Sequence, residues 1–242
     1  MRREHRPYFI KKFFTDIQKF YVKHFLEPQL DSLGEEPSFI KPWHIEVFGS
    51  PIEIGNYVNI IASPDSRVRL TVWPTNPDRK DEGRISIGSY CVICPGVRLS
   101  SALEITIGDS CMMANRVYIT DSDWHDIYNR ASTGNPKPVR IEENAWLGDS
   151  VIVCKGVTVG KNSIIGAGAV VASDIPANVI AAGNPAKVIK ELDPNEQVTP
   201  RSQWYSNPDK LFMYFDMIDK DELKSNTCLG WIRSILRPSK ND

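Results

Sequence analysis

The 242-residue chain lacks most of the features that mark specialised protein classes. Five cysteines are an odd, sparse set; they do not make a disulfide framework and read as reduced thiols. Cys91 and Cys94 form a Cys-x-x-Cys, but Cys111, Cys154 and Cys228 supply no second pair at zinc-site spacing, so no metal is expected. Charge of one sign is missing too. With 29 Lys and Arg against 30 Asp and Glu, the net charge of −1 argues against a nucleic-acid partner and against an acidic disordered chain. No apolar run approaches the roughly 18 residues of a membrane span. The start, Met1 to Arg6, is basic, but no apolar stretch follows as a signal peptide requires, so a cytoplasmic location is expected. Neither a Gly-rich phosphate loop nor a pair of carboxylates at glycosidase spacing is present.

What remains is an ordinary soluble composition, 41% apolar and 24% charged, in a chain long enough for one or two domains. It reads in three parts. Residues 1–45 form an N-terminal segment whose Ile10, Phe13, Phe14, Ile17, Phe20, Tyr21, His24 and Phe25 share one helical face until Pro28. Lys11, Lys12, Lys19 and Lys23 lie mostly elsewhere. The favoured partner for that aromatic face is the protein itself or a sister subunit; a membrane surface is the alternative. Residues 193–242 begin with Pro194, Pro200 and Pro208. A helix over 209–224 follows, then a short amphipathic stretch around Leu229 to Leu236, both expected to cover the end or side of the central part.

The central part, 46–192, has neither helical nor strand periodicity. From Ile141, steps of six give Leu147, Val153, Val159, Ile165 and Val171. If roughly a quarter of residues are aliphatic, six in a fixed phase arise by chance about once in 4,000 trials, or roughly once in 700 over all six phases. Upstream, Ile87, Ile93 and Leu99 keep one phase; a short insertion at Ser101–Leu103 shifts the frame, and Ile107, Met113 and Ile119 continue it. Small or aliphatic residues stand two positions before each. Residues 65–84 and 126–140 read as loops out of the repeat. A period of six fits a triangular coil with one short strand per side, its aliphatic column forming a continuous core over about five turns. The fold class expected is therefore mainly β, a parallel β-helix flanked by helical segments.

Several phrases carry a resemblance. They are Ala145-Trp146-Leu147-Gly148, Gly156-Val157-Thr158-Val159-Gly160, Ile165 to Val171, Asp174-Ile175-Pro176-Ala177-Asn178 and the closing Ala181 to Ile189. Over residues 50–192 the chain resembles the hexapeptide-repeat acyltransferases, in particular their maltose, galactoside and xenobiotic acetyltransferase branch. The resemblance implies a left-handed coil, acetyl-CoA as acyl donor and a homotrimer with sites between adjacent coils. It also implies transfer to a hydroxyl or amine of a small-molecule acceptor, a saccharide being favoured.

The chain has four histidines, and only His125 lies in the repeat region, at a position where the phase calls for an aliphatic residue. From the residues alone it is either a site or a cap on the last corner before the 126–140 loop. The resemblance implies the first: a neutral imidazole that takes the acceptor's proton. Asp121, Asp123 and Asp126 around it are either orienting groups or solvated loop carboxylates. Trp124 and Tyr128 either wall an acceptor pocket or pack the loop. By resemblance, Trp146, Ala167, Ala172, Ser173 and Lys187 take donor-site positions. Two departures stand out: Ser173 replaces a lysine, and Lys187 replaces the commoner arginine, losing its bidentate fork. A third lies at Cys91 to Gly96, which has no asparagine where sugar-acting members carry one in the acceptor site. Two other readings remain: a non-catalytic scaffold recruiting a partner through the terminal helices, and acylation of an amino acid or antibiotic.

Overall fold

Aliphatic residues at every sixth position turn inward, and each strand is only as long as one side of the coil allows. A computed structural model describes residues 4–73 and 83–239. Its strands form three parallel sheets that make the sides of a triangular prism. The first face holds Ser32–Leu33, Ile52–Ile54, Ile85–Ile87, Ile105–Ile107, Val139–Ile141 and Thr158–Val159. The second holds Ser38–Ile40, Asn59–Ile61, Val92–Ile93, Met112–Met113, Trp146–Leu147, Ile164–Ile165 and Val179–Ala182, closed by Lys187–Glu191 running antiparallel. The third holds Ile45–Phe48, Val68–Val72, Arg98–Ser101, Tyr118–Thr120, Ile152–Val153 and Val170–Val171. Six strands on the first and third faces make six turns, one more than the repeat pattern suggests. The extra turn is Ser32 to Phe48, where strands form without a legible sixfold phase.

Strand register stacks identical positions of successive turns. Ile87, Ile107, Ile141 and Val159 stand in one column, and Ile93, Met113, Leu147 and Ile165 in the next. Leu99, Ile119, Val153 and Val171 complete the third. All are at most 2% exposed. Each side chain of this size gains about 1.5–3 kcal/mol on full burial, and the column repeats that gain turn after turn. The corner between first and second faces takes left-handed backbone at Tyr57, Tyr90, Ser110, Asn144, Asn162 and Asn178. Asparagine tolerates that region. Here its amides also ladder: Asn144 Nδ2 donates to Asn162 Oδ1 at 3.0 Å, and Asn162 Nδ2 to Asn178 Oδ1 at 2.8 Å. Cys91 and Cys111 point inward, donating to the carbonyls of Gly108 (3.2 Å) and Glu142 (3.1 Å), while the neighbouring Cys111 thiol and, after it, burial push the Cys91 thiol up. In the 65–84 stretch, Val68–Val72 is a strand, and residues 74–82 lie outside the described residues.

Residues 21–203 make up this coil unit; residues before 21 and after 203 form a second compact unit. In the second, α1 (Tyr8–Tyr21) meets α2 (Pro208–Leu223) through polar contacts. Tyr8 donates to Asp216, and Lys11 donates to Asp219 at 2.6 Å. Asn226 Nδ2 donates to the carbonyls of Glu4 and Arg6 at 2.8 and 3.0 Å. Helix α2 starts at Pro208 with Asn207 capping Lys210 N, and α3 (Cys228–Leu236) starts with Thr227 capping Gly230 N. Of the aromatic face of α1, Phe13 and Phe20 are 62% and 63% exposed and Phe14 and Ile17 38% and 36%, while Tyr21 packs against the coil core; Phe9, beside that face, is 62% exposed. Among the described residues no helix is long and apolar enough to cross a membrane.

Candidate functional site

The chain leaves the coil after Tyr118–Thr120 and rejoins it at Val139–Ile141. Ile107 pairs with Ile141, 34 positions on, where Ile141 pairs with Val159 after 18; sixteen extra residues are carried outside the regular turn. They hold His125.

The root of this loop is a buried charge. Thr120 stacks on Ser100, so Asp121 comes to lie over Ser101 and the insertion that shifted the repeat. Its carboxylate is fully buried and accepts four hydrogen bonds: from Ser101 Oγ (2.8 Å) and the backbone N–H groups of Ala102 (2.6 Å), Leu103 (2.8 Å) and Glu104 (2.7 Å). Burying a carboxylate is costly unless donors replace its water. The frame-shifting insertion, with Glu104 just after it, supplies those donors. The Asp121 carbonyl then accepts from Lys137 N at 2.8 Å, tying the outgoing and returning strands together. Lys155, on the next turn, makes an ion pair with Asp123 and donates to the Asn135 carbonyl at 2.9 Å, so one ammonium bridges both limbs of the loop. Gly134 passes so close that a Cβ there would come within 2.9 Å of the His125 carbonyl oxygen. A side chain would push the returning limb away.

At the tip, Trp124 has left-handed backbone with φ of 64°, and its N–H donates to Ser122 Oγ at 3.1 Å. The His125 side chain is exposed, and its Nδ1 lies 2.9 Å from the Arg130 carbonyl oxygen. A carbonyl only accepts, so Nδ1 is the donor, and in the neutral ring the lone pair lies on Nε2. The Asp126 carboxylate accepts from Tyr128 N (2.9 Å) and Asn129 N (2.8 Å), and these bonds hold it below the usual carboxylate range. Asp126 N donates to the Ser132 carbonyl at 3.0 Å. The imidazole is thus oriented by a backbone carbonyl, with the three aspartates each organising a different part of the loop. Tyr128 is 95% exposed.

The remaining positions lie farther along the coil. Trp146 projects outward from the second face, half exposed, in a column with Val92, Met112, Ile164 and Ile180. Ala167 sits at the next corner of the following turn, exposed; Ala172 and Ser173 follow the last strand of the third face, also exposed. Lys187 begins the antiparallel closing strand, paired with Ala182. Along the second face, Trp146 lies one strand before the level of Ala167 and Lys187 two strands beyond it, neighbouring strands being about 4.8 Å apart. Sequence reasoning missed Lys155, Gly134 and the Arg130 carbonyl. The 101–103 insertion was the one visible signal, and it marks the seat of Asp121. Among the described residues no three His, Cys, Asp or Glu side chains gather as a metal site.

Comparison with known proteins adds a consistent picture. A family model described as bacterial transferase hexapeptide (six repeats) matches residues 138–173. Galactoside O-acetyltransferase of Escherichia coli K12 is 38% identical over 151 residues, spanning 61% of this chain and 74% of that protein. The putative colanic acid biosynthesis acetyltransferase WcaF of the same organism is 36% identical over 108 residues, 45% of this chain and 59% of WcaF. Among solved structures, the N-acyltransferase AntD from Bacillus cereus, in complex with dTDP and 3-hydroxybutyryl-CoA, superposes with a TM-score of 0.54. The match covers 82% of this chain and 96% of that one at 16% identity, a likeness of fold.

Proposed function

Because the chain belongs to the hexapeptide-repeat acyltransferases, with their left-handed β-helix, and is an acetyltransferase, we propose that it moves an acetyl group from acetyl-CoA to a hydroxyl of a saccharide, with His125 as general base. The observation that carries this reading is the bond from Nδ1 to the Arg130 carbonyl, which leaves Nε2 basic on an exposed ring. The acceptor O–H gives its proton to Nε2 as its oxygen attacks the thioester carbonyl carbon. The tetrahedral oxyanion collapses, the C–S bond breaks, and the leaving thiolate takes the proton back from the imidazolium. A saccharide is favoured by the galactoside-acting relative at 38% identity. Cys91 to Gly96 has no asparagine where sugar-acting members carry one, so the acceptor site is built differently from theirs at that point. Tyr128 and Trp124, at the loop tip, offer flat faces for a sugar ring.

The donor would lie along Trp146 and Ala167. Lys187 draws its nucleotide phosphates as a point charge, and Ser173 offers a hydroxyl where the family's lysine would add a second one. A homotrimer belongs to the same reading. The outward column of the second face begins polar at Ser38 and Asn59 and is apolar from Val92 through Met112, Trp146, Ile164 and Ile180, whereas that of the first (Glu53, Ser86, Thr106, Arg140, Thr158) is polar. The apolar face supplies surface that another copy would cover.

Calorimetric titration with acetyl-CoA should show about one site per chain, and thiol release with screened saccharides should reveal turnover. His125→Ala should then lower kcat by roughly 10²–10⁴, the usual worth of a general base, with donor binding retained. An unchanged rate in this variant would remove His125 from the chemistry.

A further inference from the structure

We propose that Asp126 is the positioning residue that fixes the proton of His125 on Nδ1, and that it does so without touching the ring. The inference rests on the reading of His125 as general base. An imidazole free of partners exchanges between two neutral tautomers, and only the one with Nδ1–H presents a lone pair at Nε2. The partner that selects this tautomer is the carbonyl of Arg130, five residues along the chain. A backbone carbonyl is useful only if the backbone around it is held.

Asp126 holds it. The carboxylate gathers the N–H groups of Tyr128 and Asn129. This bends residues 126–129 into a turn, after which Arg130 comes back past the ring. Asn129 extends the device: its carbonyl accepts from Ser132 N and Ser132 Oγ at 3.0 Å each, and its Oδ1 accepts from Ala131 N at 3.2 Å. Ser132 in turn accepts from Asp126 N through its carbonyl, closing a ring of bonds around residues 126–132. The Arg130 side chain folds inward as well, Nε donating to the Ile127 carbonyl at 3.0 Å. Tyr128 and Ile127 are themselves largely exposed, so apolar packing contributes little to this turn. Its shape depends on hydrogen bonds, and Asp126 accepts two at the start. Asp121 and Asp123 serve other places: the first is committed to residues 101–104, the second to Lys155.

The test uses the full-length protein with ¹⁵N-labelled histidine and no ligand. Long-range ¹H–¹⁵N correlation at a pH where the ring is neutral distinguishes the tautomers, and His125→Ala identifies the His125 signals among the four histidines. Wild type should show Nδ1–H. Asp126→Ala should give a mixture, whereas Asp126→Asn, whose carbonyl oxygen can accept the same two N–H groups, should retain Nδ1–H. If the alanine variant leaves about a tenth of molecules in the competent tautomer, kcat falls about tenfold at constant donor KM. Wild type with the proton on Nε2, or an alanine variant with the wild-type tautomer, overturns the inference. The two failures separate cleanly. An active His125→Ala defeats the base assignment and leaves the tautomer result intact. An inactive His125→Ala beside an unperturbed Asp126→Ala defeats the inference alone.

Discussion

The coil and the terminal helices both carry many apolar side chains, and they use them in opposite ways. In the coil the inward columns are sealed, because every turn covers the one before it. In the helical unit neither α1 nor α3 contains a buried residue, and α2 buries only Leu223. Phe9, Phe13 and Phe20 fall within about 40° on one face of α1, given 3.6 residues per turn, and remain mostly exposed. Ion pairs and hydrogen bonds join α1 to α2 instead. A repeat brings its own partner, since the same position one turn later supplies the contact. An amphipathic helix states only that a partner is wanted.

Substitutions can test how deep that difference runs. The largest effect belongs in the middle of the coil. Leu147→Ala removes a side chain held between Met113 and Ile165, in a column too regular to collapse, and should cost about 3–5 kcal/mol in urea unfolding followed by circular dichroism. A loss below about 1 kcal/mol would mean the coil repacks like a liquid. Next comes the loop root. Asp121→Ala strands the buried N–H of Ala102 and the half-buried N–H groups of Leu103 and Glu104 and should cost about 2–3 kcal/mol. Amide exchange at those three positions should rise, while exchange at Ile165 stays slow. The smallest effect belongs to the helix. Phe9→Ser, Phe13→Ser and Phe20→Ser should each change stability by less than about 0.5 kcal/mol, as exposed positions do. A loss of 2 kcal/mol or more at any of them would show that the aromatic face is covered in solution, and would end the contrast between the two regions.

The sixfold phase made the coil legible because a side chain's direction there depends on local spacing alone. Ile141, Leu147 and Val153 announce three faces in thirteen residues. The first turn escaped notice since Ser32–Leu33 and Ser38–Ile40 are short and carry no regular phase. His125 was visible as a polar residue where the sixfold phase calls for an aliphatic one, yet the chain has already left the coil after Thr120, so it stands on the loop and not in a column. Its neighbours were harder: Asp121, Asp123 and Asp126 stand within six residues of one another and look interchangeable, yet the fold sends each to a different partner.

The sequence by itself determined the coil, its period, the excursion that carries His125 and the one histidine among the repeats, because each is written in local spacing. Only the tertiary structure decided which carboxylate anchors the loop, which lysine clamps it and which nitrogen of His125 carries the proton. Those choices join Asp121 to residues 101–104, Asp123 to Lys155 and His125 to Arg130. They depend on the stacking of turns and on the closure of one loop, and so on distances in space that spacing along the chain does not contain.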